Sequence, residues 1–132
     1  LLSGPFIDEE NGWMYVGHNS GVTHQLHRFN ISDPTVSIAQ VNFGPNENVS
    51  GVNIDFVYNK LYVFLSDNGT TARIVRLDRT TLATEATYNG PNTVNGPQSI
   101  QYNFQRQRAY LHMLGGGGNI NAINEVRLCI FN

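Results

Sequence analysis

The stretch Gly51–Leu82, GVNIDFVYNKLYVFLSDNGTTARIVRLDRTTL, decides the fold because it has been heard before. Gly4–Val36, GPFIDEENGWMYVGHNSGVTHQLHRFNISDPTV, has the same beat. Each opens on Gly and an apolar run ending in Ile-Asp. A polar turn follows, then a Tyr-Val strand, then a strand mixing basic and apolar residues. The segments KLYVFLS and RIVRLD are rich in β-branched and aromatic residues, which suit a pleated surface. No window keeps a 3.6-residue apolar period, so helices are not expected. Four strands are predicted for this copy, at 51–57, 60–66, 72–78 and 84–89.

A third copy aligns with these two, and internal repeats of this length organise a fold before anything else does. The openings are Leu2-Ser3-Gly4, Val49-Ser50-Gly51 and Val94-Asn95-Gly96. Next come Phe6-Ile7-Asp8, Asn53-Ile54-Asp55 and Ser99-Ile100-Gln101, then Met14-Tyr15-Val16, Leu61-Tyr62-Val63 and Ala109-Tyr110-Leu111. The last anchors are His27-Arg28-Phe29, Val75-Arg76-Leu77 and Val126-Arg127-Leu128. The tyrosines are 47 and 48 residues apart and the arginines 48 and 51. The expected repeats are 1–48, 49–93 and 94–132, the third lacking its last strand.

About 45 residues of four antiparallel strands is the size of a propeller blade. A blade is covered on both faces by its neighbours, which accounts for strands apolar on both sides, such as Leu61 to Leu65. The chain resembles the extracellular β-propeller repeats of the broad YVTN/NHL-like group. LYVFLSDNGTTARIVRLDRTTLATEA carries the resemblance best, MYVGHNSGVTHQLHRFNISDPTVSIA next, and AYLHMLGGGGNINAINEVRLCIFN departs in loop length. The resemblance implies an all-β propeller and says little about activity, because function lives in sites and not in folds. Propellers close with four to eight blades, so three repeats imply further blades in the same chain, further blades from other chains, or an open array capped by partners. The 132 residues are read as an excerpt of a larger propeller, one that will not persist alone as a monomer.

Composition agrees with many short strands. Hydrophobic residues make up 40 % and charged residues 14 %, which leaves apolar surface to bury and little charge against it. There are 17 asparagines, four Asn-Gly pairs beginning at Asn11, Asn68, Asn89 and Asn95, and four of the five prolines follow glycine. These are turn signals. A net charge of −2 gives no electrostatic basis for a nucleic-acid partner. No apolar run approaches the ~18 residues of a spanning helix, so membrane insertion is not expected. Cys129 is the only cysteine, which rules out an internal disulfide. Sequons begin at Asn30, Asn48 and Asn68, each at an expected strand end or turn, where glycans attach. Together with the low charge they point to an extracellular or cell-surface glycoprotein.

Most chemistry-bearing residues fit ordinary structural roles. His24 and His27 stand three apart, so on a strand they face opposite sides and cannot share a metal ion. His18 and His112 lie elsewhere. Asp8-Glu9-Glu10 occupies a first-hairpin position and reads as a surface turn. Gly115–Gly118 is followed by Asn-Ile-Asn, not by Lys-Ser/Thr and a helix, so it reads as a hairpin tip and not a phosphate loop. No nucleophile elbow or zinc-protease helix is present, and no cofactor or enzymatic activity is expected.

Arg28, Arg76 and Arg127 recur once per repeat. Such a residue either lines a groove for acidic glycans or bridges neighbouring blades through carbonyls and carboxylates with its planar donor fork. Tyr15, Tyr62 and Tyr110 are expected in the core. Trp13 and Tyr58, near turns, are the candidates for stacking on a sugar or a partner. The functional expectation is a structural or interaction unit of a cell-surface or filamentous assembly, contacting other protein chains. A propeller lectin is the alternative, weakened because Trp13 has no aromatic counterpart at Asn59-Lys60 or Gln107-Arg108. An enzyme whose active site lies outside these residues is the second alternative.

Overall fold

A computed structural model describes residues 4–67, 71–92, 97–103 and 108–113. The protein is all-β, and no helix occurs among the described residues. Strands β1 (Phe6–Asp8), β2 (Trp13–Ser20), β3 (Thr23–Asn30) and β4 (Asp33–Phe43) form one antiparallel meander. A second meander contains β5 (Glu47–Asp55), β6 (Lys60–Asp67), β7 (Thr71–Asp78) and β8 (Thr84–Asn92). Strands β9 (Pro97–Asn103) and β10 (Arg108–Met113) make a hairpin beside β5 and β6. The four strands expected for Gly51–Leu82 and its flank are β5 to β8, with β5 beginning earlier than its expected start and β8 ending later.

The two meanders share strand order and also local register. Tyr15 stands opposite Arg28 across β2 and β3, as Tyr62 stands opposite Arg76 across β6 and β7. The first turns match too. Asp8 Oδ1 accepts the Asn11 N–H at 3.2 Å, and Asp55 Oδ1 accepts the Tyr58 N–H at 3.0 Å. Each turn then needs one residue in the left-handed region, supplied by Gly12 (φ 64) and Asn59 (φ 56). Glycine has no Cβ penalty there, and asparagine tolerates it better than most residues. The carbonyls of Gly12 and Asn59 in turn accept the N–H of Ile31 (2.9 Å) and of Arg79 (3.1 Å), tying each first turn to the third.

The core lies between the sheets. Tyr15 and Leu26 from the first sheet meet Val49, Val52, Ile54, Leu61, Val63, Leu65, Val75 and Leu77 from the second. Phe6, Trp13, Val41 and Phe43 close its margin. Alternation puts Tyr62, Phe64 and Ile74 on the opposite face of the second sheet, also buried. Strand β6 is therefore covered on both sides from Leu61 to Leu65, the condition that permits its unbroken apolar run. Tyr15 and Tyr62 are core residues. Leu82 adopts φ 61 and is buried in the same core. Asp78 holds the turn before it, its Oδ1 accepting the N–H groups of Thr80 (3.0 Å) and Thr81 (2.8 Å).

Candidate functional site

The polar chemistry concentrates where the turns of one sheet meet those of the other. Asp8 ends β1 and is fully buried; Arg79 follows β7 and is 3 % exposed. They form a two-pronged ion pair: Arg79 Nε donates to Asp8 Oδ2 at 2.7 Å and Nη2 to Oδ1 at 2.5 Å. Nη2 also reaches Glu10 Oε2 at 2.8 Å, and Nη1 reaches Asn59 Oδ1 at 3.5 Å. The guanidinium lies over the Phe56 ring, 4.8 Å from its centroid. Burial pushes the Asp8 carboxyl up, but hydrogen bonds from Arg79 and Asn11 outweigh it and hold the group below the usual carboxylate range. The same hydrogen bond to Asp8 raises the pKa of Arg79 further. The Asp8 and Arg79 charges are buried and satisfy each other.

Arg28 adds a second bridge. Its Nη1 donates to the carbonyls of Thr80 (2.9 Å) and Arg79 (3.3 Å) on the other sheet. Its guanidinium stacks on Trp13, 4.0 Å from the ring centroid, a cation–π contact. That indole face is thus covered and does not offer a stacking platform. At the other end of the same sheet Asn19 pairs with the backbone of Val49, donating to its carbonyl at 3.0 Å and accepting its N–H at 2.8 Å.

The remaining sequence candidates are scattered. Arg76 Nε lies 3.1 Å from Glu85 Oε2, and Glu85 also binds Lys60 at 2.5 Å. Tyr58 is 51 % exposed and sits with the exposed Phe56 and Val57 at one apolar hairpin tip. Asn30 is half-buried at the end of β3, and Asn48 is half-buried near the start of β5. Arg127, Asn68, Cys129 and Gly115–Gly118 lie outside the described residues. His24 is buried facing the second sheet and His27 lies on the opposite face, as their spacing requires.

Asp8 is the main correction. Its acidic turn is not merely surface: Asp8 is buried because Arg79, 71 residues later, reaches across to it. The available signal was charge complementarity between Asp8-Glu9-Glu10 and the Arg79 of LDRTT. The His18–His27 pair was also missed. These rings lie 6.1 Å apart on the outer face of the first sheet, diagonal across β2 and β3. Among the described residues no three His, Cys, Asp or Glu side chains converge as a metal-binding group. No family model matches the chain, and neither a curated protein nor a solved structure matches it.

Proposed function

We propose that the chain is a stretch of an extracellular β-propeller serving a structural or interaction role, its sheets acting as successive blades. One observation carries the reading. Tyr15–Arg28 and Tyr62–Arg76 are cross-strand pairs in two meanders of identical order, and the first meander faces the second across a continuous apolar core. The second meander has the β9–β10 hairpin beside it, so the same relation is open to a third blade. The polar groups at the turns link sheet to sheet, which suits a scaffold better than a reaction centre. Electron cryomicroscopy of the protein purified from its source, at its natural length, tests this. A ring of radially arranged four-stranded sheets is the expected result; a lone two-sheet sandwich overturns it.

Glycan binding is the second reading, favoured by the exposed tip Phe56-Val57-Tyr58. Aromatic rings presented at a turn offer an apolar face to a sugar. Dose-dependent binding on a glycan array that Tyr58→Ala abolishes would establish it. A flat array, or binding indifferent to that substitution, removes it.

A further inference from the structure

The two sheets differ most on one face. The apolar residues of β6 and β7 that face the first sheet are Leu61, Val63, Leu65, Val75 and Leu77, all buried. With Tyr15–Arg28 superposed in register on Tyr62–Arg76, the matching positions of the first sheet are Met14, Val16, His18, His27 and Phe29. Imidazoles therefore replace Leu65 and Val75, on a face that no other strand covers among the described residues. They are close: the ring centroids are 6.1 Å apart and the planes cross at 66°. Both line a recess of about 450 Å³ on this face, with Gln25, Phe29 and Ser37.

We propose that His18, His27 and Gln25 form a binding site for a borderline divalent transition-metal ion such as Ni²⁺, Cu²⁺ or Zn²⁺. Gln25 is the direct cross-strand partner of His18, and its Oε1 is 3.0 Å from His27 Nε2. Two adjacent ligands at right angles on one ion, each at ~2.1 Å, stand ~3.0 Å apart. His27 Nε2 and Gln25 Oε1 share a hydrogen bond at that distance, which an ion between them would replace. The other nitrogen, His27 Nδ1, is 3.0 Å from Ser37 Oγ, the outer partner that fixes a metal-binding imidazole's tautomer and orientation. Two imidazoles bound to one ion have centroids roughly 4.5–5.2 Å apart, so the two rings, 6.1 Å apart, must close by about 1–1.6 Å through side-chain rotation. The lining offers two imidazoles, one amide and two hydroxyls but no carboxylate, a donor set that disfavours Ca²⁺ and Mg²⁺.

Isothermal titration of the protein at its natural length with NiCl₂ at pH 7.5 tests the site. Binding of one ion per chain is expected. His18→Gln and His27→Gln should each weaken it at least tenfold. His112→Gln, on β10, should leave it within twofold. Circular dichroism of each variant checks that the fold is retained, and a variant that unfolds is replaced by Gln25→Leu, expected to weaken binding severalfold. No saturable binding up to 100 µM Ni²⁺ would overturn the proposal. So would one-to-one binding that survives both histidine substitutions or is lost with His112→Gln.

Discussion

Removing the Asp8 charge is the most direct test of how the two sheets are joined. Asp8→Asn keeps the shape of the side chain but leaves Arg79, 3 % exposed, without its main counter-ion. Glu10 remains within 2.8 Å but is 64 % exposed, so solvent screens what it can return. Breaking one side of a buried pair typically costs ~3–5 kcal/mol, because an uncompensated charge stays in a poor solvent. For a cooperative unit of 132 residues the unfolding entropy is about 0.28 kcal/mol/K. The melting temperature should therefore fall by roughly 10–20 °C.

Arg79→Met should cost a similar amount, since it strands a buried carboxylate. The double substitution Asp8→Leu with Arg79→Met should recover most of the loss, because replacing both partners by apolar groups is often neutral. Thermal and urea melts of wild type, both single variants and the double variant form the cycle. Losses below about 1 kcal/mol for both singles, or strict additivity in the double variant, would refute the buried-pair account.

The same pair sets an acid response. The Asp8 carboxyl is held below its ordinary value in the folded state, so its contribution is complete above the unfolded pKa of about 4. It is lost as the pH falls through the lower folded value. Urea midpoints from pH 7 down to pH 2 should drop below pH 4 in the wild type and drop less in Asp8→Asn. An equal drop in both would place the acid sensitivity elsewhere.

Three further outcomes are expected. Gly12→Ala should cost about 1–2 kcal/mol, although a Cβ there meets no atom within 4 Å; an unchanged melt would show that the positive φ (64) is not enforced. Leu26→Ala, at a fully buried position between the sheets, should cost about 2–5 kcal/mol by transfer and cavity terms, read from the urea midpoint at constant m. In protein secreted from a eukaryotic host, at least one of Asn30, Asn48 and Asn68 should carry glycan; peptide masses unaltered by glycosidase treatment at all three would remove that support for an extracellular location.

What the sequence reveals and what it hides divide along a physical line. Positions that agree between copies encode the sheet itself. The Tyr and Arg anchors recur because each meander needs the same cross-strand register, and the Asp at the first turn recurs because both turns use its carboxylate to hold an N–H. A search for repeats finds those residues and reads the strands correctly. The polar contacts between the sheets join a position that the copies share to one where they disagree. Arg79 stands at the position of Ile31, each donating its N–H to the first turn of its own sheet, yet only Arg79 carries a side chain that reaches Asp8. Trp13 under Arg28 corresponds to Lys60, which instead pairs with Glu85 in its own sheet. His18 and His27 correspond to Leu65 and Val75. A junction between two similar sheets has two unlike sides, since one sheet gives the face that the other receives. Tyr15, Asp8 and Arg28 reach the other sheet from positions that the copies share, whereas Arg79 has no basic counterpart in the first copy, so an alignment that rewards similarity finds one side of the junction and discards the other. Arg28 shows the same division within one residue. Its position is conserved between the copies by the cross-strand pairing with Tyr15, whereas its partners, the carbonyls of Arg79 and Thr80, come from the other sheet. Replacing Arg28 by Lys keeps the charge but not the planar stack on Trp13 or the reach to both carbonyls. It should loosen the junction while leaving each sheet's strand pairing intact. Amide exchange would register this as lost protection in the 79–83 turn with unchanged protection in β2 and β6, and uniform loss across both sheets would show that junction and sheets are a single cooperative unit.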